Sequence, residues 1–219
     1  MALMKQIWAK LVQHWPLIFL IFVVTLLFFA NYLPGTWLSG WDTLHPEWNL
    51  GLYFLRTFFG AWQETYGLGA VSIQAFAAEL PRLLVILPLT MFLQASDVRY
   101  GYFFLTLCFS ALGAYYFISG ALNKGKALSV IGAIFYILNP GALQIFALPF
   151  EMNITFFAAL PWLLALATKY LEERKKKYLM WFLVATFFAS PMAHTPTLFI
   201  TYFVALFLYL AAYIAVIRK

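Results

Sequence analysis

The ionisable side chains of this chain are sparse, and most of the acidic ones sit between apolar runs. Asp42, His45, Glu47, Glu64, Glu79, Asp97, Glu151 and His194 are interspersed with Arg56, Arg82 and Arg99. Carboxylates beside guanidinium groups suit one kind of chemistry. A carboxylate can serve as a general base, and a cation can hold a phosphate. Asp42, in Gly40-Trp41-Asp42-Thr43-Leu44-His45-Pro46-Glu47, reads as a base at a lipid–water boundary or, with Thr43, as a helix cap. Glu151, in Leu148-Pro149-Phe150-Glu151-Met152-Asn153, borders two apolar runs and is a site carboxylate by default, with a helix-capping loop residue as the plainer reading. His45 is either a loop side chain or a phosphate-binding group. His194, in Pro191-Met192-Ala193-His194-Thr195-Pro196, is either a polar turn residue or part of the same site. Arg82 and Arg99 either hold a phosphate or snorkel to headgroups.

Other signatures are missing from the sequence. It has no P-loop, no G-x-G-x-x-G, no H-E-x-x-H, no Cys/His metal cluster and no G-x-S-x-G. A nucleotide-driven pump and a soluble-type hydrolase are therefore disfavoured. Cys108 is the single cysteine, so no intramolecular disulfide can form. No internal repeat is visible, which weighs against a transporter.

The elements that would position these residues are membrane helices. Of the 219 residues, 64% are hydrophobic and 10% charged, against roughly 45–50% and about 25% in soluble domains. Lipid must cover most of the surface. Apolar runs cover residues 15–33, 100–119, 127–150 (broken at Asn139-Pro140-Gly141), 154–171, 178–193 and 198–217, giving six expected crossings. The run 82–94 is short and carries Pro88, so it is expected to dip into one face.

With the amino terminus in the cytoplasm, eleven of the fourteen basic residues fall inside, and Arg56, Arg82 and Arg99 fall outside. Seven crossings from an external amino terminus give the same split. In the six-crossing arrangement Asp42, His45, Glu47, Glu64, Glu79, Asp97, Glu151 and His194 all face outward. Basic residues clustered between apolar runs are a topology signal, and no nucleic-acid partner is expected.

Residues 34–98 form the first outer loop. Pro46 suits a first helical position, and Trp48, Leu52, Leu55, Phe59 and Trp62 follow at helical spacing, which predicts an interfacial helix. Gly67 and Gly69 end it, and residues 70–80 predict a second helical piece. Trp37, Trp41, Trp48 and Trp62 fit an aromatic belt.

Two stretches resemble the GT-C superfamily of membrane glycosyltransferases, and within it the arabinofuranosyltransferase-like group. The first runs from Asp42-Thr43 through His45-Pro46, Arg56 and Trp62 to Gly67-Leu68-Gly69. The second comprises Asn139-Pro140, Glu151 and Leu160-Pro161-Trp162-Leu163-Leu164. The resemblance implies an all-α, polytopic GT-C-like bundle in the cell membrane. It also implies an enzyme that transfers a sugar from a polyprenyl-phosphate-linked donor to a glycan, lipid or protein acceptor on the outer face. Asp42 would then be catalytic base or metal ligand, and Glu151 would line the same cavity. Donor phosphate would meet His45, Arg82, Arg99 or His194, with a divalent ion (Mg or Mn) as a further candidate. Family members are typically much longer, so residues 1–219 read as one transmembrane module, either a fragment or a minimal form. His45-Pro46 also stands where relatives can carry Asp-Pro, which leaves the identity of the base open. The competing expectation is a non-enzymatic membrane protein, such as a lipid or sugar transporter or an assembly subunit.

Overall fold

A computed structural model describes residues 2–40, 43–63, 67–71 and 76–217. Trp41, Asp42 and Glu64 lie outside the described residues. The described chain is helical throughout: α1 (Ala2–Asn31), α2 (Leu50–Phe59), α3 (Leu80–Leu89), α4 (Ala95–Tyr116), α5 (Lys126–Leu138), α6 (Pro140–Ala147), α7 (Glu151–Glu173), α8 (Lys176–Ala189) and α9 (Pro196–Ala212). The exception is a two-residue antiparallel ladder that pairs Trp62 with Val71 and Gln63 with Ala70.

Four stretches are long and apolar enough to cross a bilayer: Val12–Asn31, Ala95–Ala121, Glu151–Glu173 and Pro196–Val216. The pair α5 and α6, bent by 48°, would make a fifth. The expected six is not reached, because α8 has 14 residues, about 21 Å of helix against a hydrocarbon layer near 30 Å. Pro191 follows at once, and the chain tightens there into a 3₁₀ turn, Ser190–His194. Helix α3, with 10 residues, is shorter still, in line with the expectation that this segment does not cross.

Helices α4 and α7 form the centre of the bundle. Half of the apolar window of α7 is buried, against 11% for that of α9. Small residues permit this approach: Ala111, Gly113 and Ala114 on α4, Ala133 on α5, and Ala158 and Ala165 on α7. A Cβ on Gly113 would meet the Trp162 Nε1 at 2.5 Å. Trp162 instead lies flat on Tyr116 and donates to the Phe109 carbonyl at 2.9 Å. Leu20 and Val24 bury α1 against α4 and α5, while Phe22, Leu26 and Phe29 face outward, where lipid would meet them.

Two prolines inside the bundle free a carbonyl each, and each carbonyl finds a donor. Pro161 cannot bond to the Phe157 carbonyl, which accepts from the Tyr136 hydroxyl at 2.7 Å. Pro140 leaves the Tyr136 carbonyl, which accepts from Asn139 Nδ2 at 2.6 Å. The α5–α6 bend is thereby satisfied internally, as apolar surroundings require.

The first loop departs from expectation in two ways. Pro46 opens a three-residue 3₁₀ turn, Pro46–Trp48, and the helix starts only at Leu50. Asn49 caps α2 by accepting from the Leu52 N–H at 3.0 Å, while Thr43 donates to the Gly40 carbonyl and caps nothing. The stripe Trp48, Leu52, Leu55, Phe59 and Trp62 is exposed along its length, which suits an interfacial helix. The second helical piece expected over residues 70–80 is not formed as such. Ala70–Val71 is a strand and Phe76–Glu79 a 3₁₀ turn. Gly67 and Gly69, both at positive φ, close the hairpin. A Cβ on Gly69 would strike the Trp62 ring at 2.7 Å.

Candidate functional site: a buried acid–guanidinium cluster

Four elements deliver charged side chains to one end of the bundle. Glu47 comes from the 3₁₀ turn before α2, and Glu79 and Arg82 straddle the start of α3. Arg99 lies in the first turns of α4, and Glu151 begins α7. All five are buried. Arg99 Nη2 donates to Glu151 Oε1 at 2.5 Å, and Arg99 Nη1 lies 3.6 Å from Glu47 Oε1. Arg82 Nε is 2.8 Å from Glu79 Oε2, and its Nη1 is 4.0 Å from Glu151 Oε1. The carboxylate of Glu151 therefore bridges the two arginines.

The arginines differ in what remains to be bonded. Arg99 spends its fork on the protein: Nε donates to the Leu38 carbonyl, Nη1 to the Leu44 carbonyl at 3.0 Å, and Nη2 to Glu151. Its guanidinium also lies over the Phe103 ring at 5.3 Å. Arg82 has no such closure. Among the described residues its nitrogens make ionic contacts but no aligned hydrogen bond. A buried guanidinium with open donors is poised for an acceptor.

Three carboxylates face two guanidinium groups, so the cluster carries one acid in excess. Burial pushes the carboxyls of Glu47 and Glu79 above their ordinary range, against the pull of Arg82 in both cases. The raised carboxyls of Glu47 and Glu79 hold a proton more readily than exposed acids do, which is a feature of groups suited to proton transfer.

The two histidines take different places. His194 Nδ1 lies 3.8 Å from Glu79 Oε1, with its ring edge-on to Phe76. It joins the cluster from the turn between α8 and α9, which is pinned by the Ser190 hydroxyl donating to the Ala78 carbonyl at 3.0 Å. His45 stands in the loop, stacked on Trp48 at 4.6 Å. Its Nε2 is within 3.1 Å of Ser39 Oγ and 3.2 Å of Thr43 Oγ1. Burial, reinforced by Arg99 and Arg82, pushes His45 down to about 4. It is neutral at physiological pH and serves as a hydrogen-bonding group rather than a cation.

Of the residues singled out in the sequence, the fold thus brings Arg82, Arg99, Glu151 and His194 into one cluster and leaves His45 in the loop beside it. Asp42 lies outside the described residues. Glu47 and Glu79 were not singled out, although Glu79 and Arg82 stand at helical i,i+3 spacing around Pro81, a pattern that joins them. Among the described residues no group of three or more His, Cys, Asp or Glu is placed to hold a metal ion.

An apolar groove of about 420 Å³ lies between α1, α4, α5 and α6, on the Arg99 side of the cluster and lined by none of its charged residues. Phe103, which underlies Arg99, and Leu38, whose carbonyl Arg99 holds, both line it. No protein-family model matches the chain, and neither a curated protein nor a solved structure matches it.

Proposed function

We propose that the chain is a GT-C-type membrane glycosyltransferase module. It transfers a sugar from a polyprenyl-phosphate-linked donor to a glycan, lipid or protein acceptor on the outer face of the cell membrane. The observation that carries this reading is a buried ionic cluster in which Arg82 makes no aligned hydrogen bond among the described residues, with an apolar groove beside the neighbouring Arg99. An amphiphile with a lipid tail and an anionic head matches both halves, whereas a water-soluble substrate matches only one. The proposed orientation has a cytoplasmic amino terminus, with α8 and its 3₁₀ turn completing a sixth crossing.

In the proposed reaction the acceptor hydroxyl attacks the anomeric carbon and its proton passes to a carboxylate, Asp42 by the family resemblance. The bond from the anomeric carbon to the phosphate oxygen breaks, and polyprenyl phosphate departs. A single displacement inverts the anomeric configuration. Charge develops on the leaving phosphate, which Arg82 stabilises within a partly dehydrated site. Glu151 holds both guanidinium groups in place, and His194 stands beside Glu79 at the edge of the cluster.

The test is donor consumption by the purified chain in lipid vesicles with a radiolabelled polyprenyl-phosphate sugar and a hydroxyl acceptor. Release of polyprenyl phosphate with sugar transfer is the expected result. Return of the donor unchanged across the bilayer would identify a carrier instead.

A further inference from the structure

We infer that Arg99 is a positioning residue that clamps the segment bearing Asp42 from both flanks, an inference that rests on the transferase reading. The loop from residue 32 to residue 47 is tied to the first turns of α4 by a series of side chains in order. Tyr32 donates to Asp97 at 2.9 Å, and Thr36 Oγ1 meets the Tyr100 hydroxyl at 2.9 Å. Arg99 then takes the Leu38 carbonyl on one side of residue 42 and the Leu44 carbonyl on the other, and reaches Glu47 beyond. From outside the loop, Arg99 thus reaches both flanks of residue 42, while within the loop His45 meets Ser39 and Thr43 across it. The third nitrogen of Arg99 rests on Glu151, so the described flanks at Leu38 and Leu44 are held in register with the start of α7.

The planar fork explains why arginine stands here. Three nitrogens in one plane meet two backbone carbonyls and a carboxylate at once, which a lysine ammonium on a flexible stem cannot reproduce. The carbonyls belong to the main chain, so the clamp constrains loop path rather than any one loop side chain. Each of the three nitrogens of Arg99 already donates to the protein, whereas those of Arg82 make no aligned hydrogen bond among the described residues, so Arg82 is the better placed of the two for a substrate phosphate.

The test uses a Cys108→Ala chain in lipid vesicles carrying one reporter, Thr43→Cys in the loop or Ser119→Cys near the opposite end. Each is combined with Arg99, Arg99→Lys or Arg99→Gln. Arg99→Lys keeps the buried positive charge beside Glu151 and removes the fork. With either Arg99 substitution, labelling of Thr43→Cys by a thiol reagent is expected to accelerate roughly tenfold, as loss of a charged hydrogen bond implies. Labelling of Ser119→Cys is expected to stay unchanged. In the donor assay kcat falls while KM holds. Unchanged labelling at residue 43, or equal acceleration at both reporters, would overturn the clamp. A raised KM with kcat preserved would likewise overturn it, by making Arg99 a substrate-binding group. Accelerated labelling in a chain whose unsubstituted form consumes no donor would uphold the clamp and refute the transferase reading.

Discussion

The two ends of the bundle use the same residue types to opposite effect. At one end Glu47, Glu79, Arg82, Arg99 and Glu151 are buried together. At the other, Lys169 lies 3.6 Å from Glu172, Lys175 lies 2.7 Å from Glu173, and these side chains remain partly or largely exposed. Tyr213 and Tyr178 donate to Glu172 and Glu173 there, at 3.0 Å and 2.9 Å. Exposed pairs of this kind contribute about 0–1 kcal/mol and are screened by salt. The buried set has lost its water, so each charge depends on its neighbours, and removal of one partner costs far more than the pair contributes. The exposed pairs follow from a stretch rich in Lys and Glu where α7 ends and turns into α8. The buried cluster requires four elements to converge, and a site is the simplest reason for a fold to sustain it.

The sharpest way to break this contrast is at Asp42. Asp42→Asn is expected to lower sugar transfer by about 10²–10⁴-fold while membrane insertion and helical content stay intact. Unchanged turnover would move the base elsewhere, with Glu79 the next candidate. Removal of a bridging acid comes second. Glu151→Ala leaves Arg82 and Arg99 without their shared carboxylate and should cost about 3–5 kcal/mol in thermal unfolding. Glu173→Ala at the other end should cost no more than about 1 kcal/mol. Equal losses would erase the distinction between the ends.

Packing gives an intermediate effect. Gly113→Ala places a Cβ at 2.5 Å from the Trp162 ring and is expected to cost about 1–3 kcal/mol as the α4–α7 contact opens. The smallest effect is the pH dependence of stability. Glu47 and Glu79 hold their protons more tightly in the folded protein than the ordinary carboxyl value of 4.5 allows. The unfolded chain releases those protons first, so their contribution is fully present below about pH 4.5 and is lost as pH rises through the raised values. Unfolding in detergent over that range should show stability falling with pH, and Glu79→Gln should flatten the slope. A slope of opposite sign would place the uncompensated charge elsewhere.

What could be read from the sequence divides along the same line. The apolar runs of α1, α4, α7 and α9 are set by composition alone, and lipid-facing surface needs no partner to be recognised. The middle of the stripe, Leu52, Leu55 and Phe59, was legible because its period is that of a helix, while its ends went to other elements, Trp48 to a 3₁₀ turn and Trp62 to the ladder. Residues 70–80 were misread because Ala and Leu favour helix locally, whereas Gly67 and Gly69 turn the chain so that Ala70 and Val71 pair with Gln63 and Trp62. The length of α8 escaped because hydropathy continues past Ala189 while Pro191 changes the backbone.

The charged cluster was legible only in part. Arg82, Arg99, Glu151 and His194 could be singled out by sign and position. The pairing of Arg99 with Glu151, 52 residues apart, exists only because α4 docks on α7. Glu47 read as a polar position of the interfacial helix and Glu79 as part of the helical piece over residues 70–80, and their burial is a consequence of packing.

The central claim is that the acid–guanidinium end is the outward, working end of the molecule and the lysine-rich end the cytoplasmic one. Single cysteines at Ser39 and Lys176, in a chain with Cys108→Ala, test it in intact cells with a membrane-impermeant thiol reagent. Labelling at residue 39 and protection at residue 176 is the expected result, placing the cluster where lipid-linked sugars are used. Labelling at residue 176 with protection at residue 39 would turn the cluster toward the cytoplasm and contradict the account.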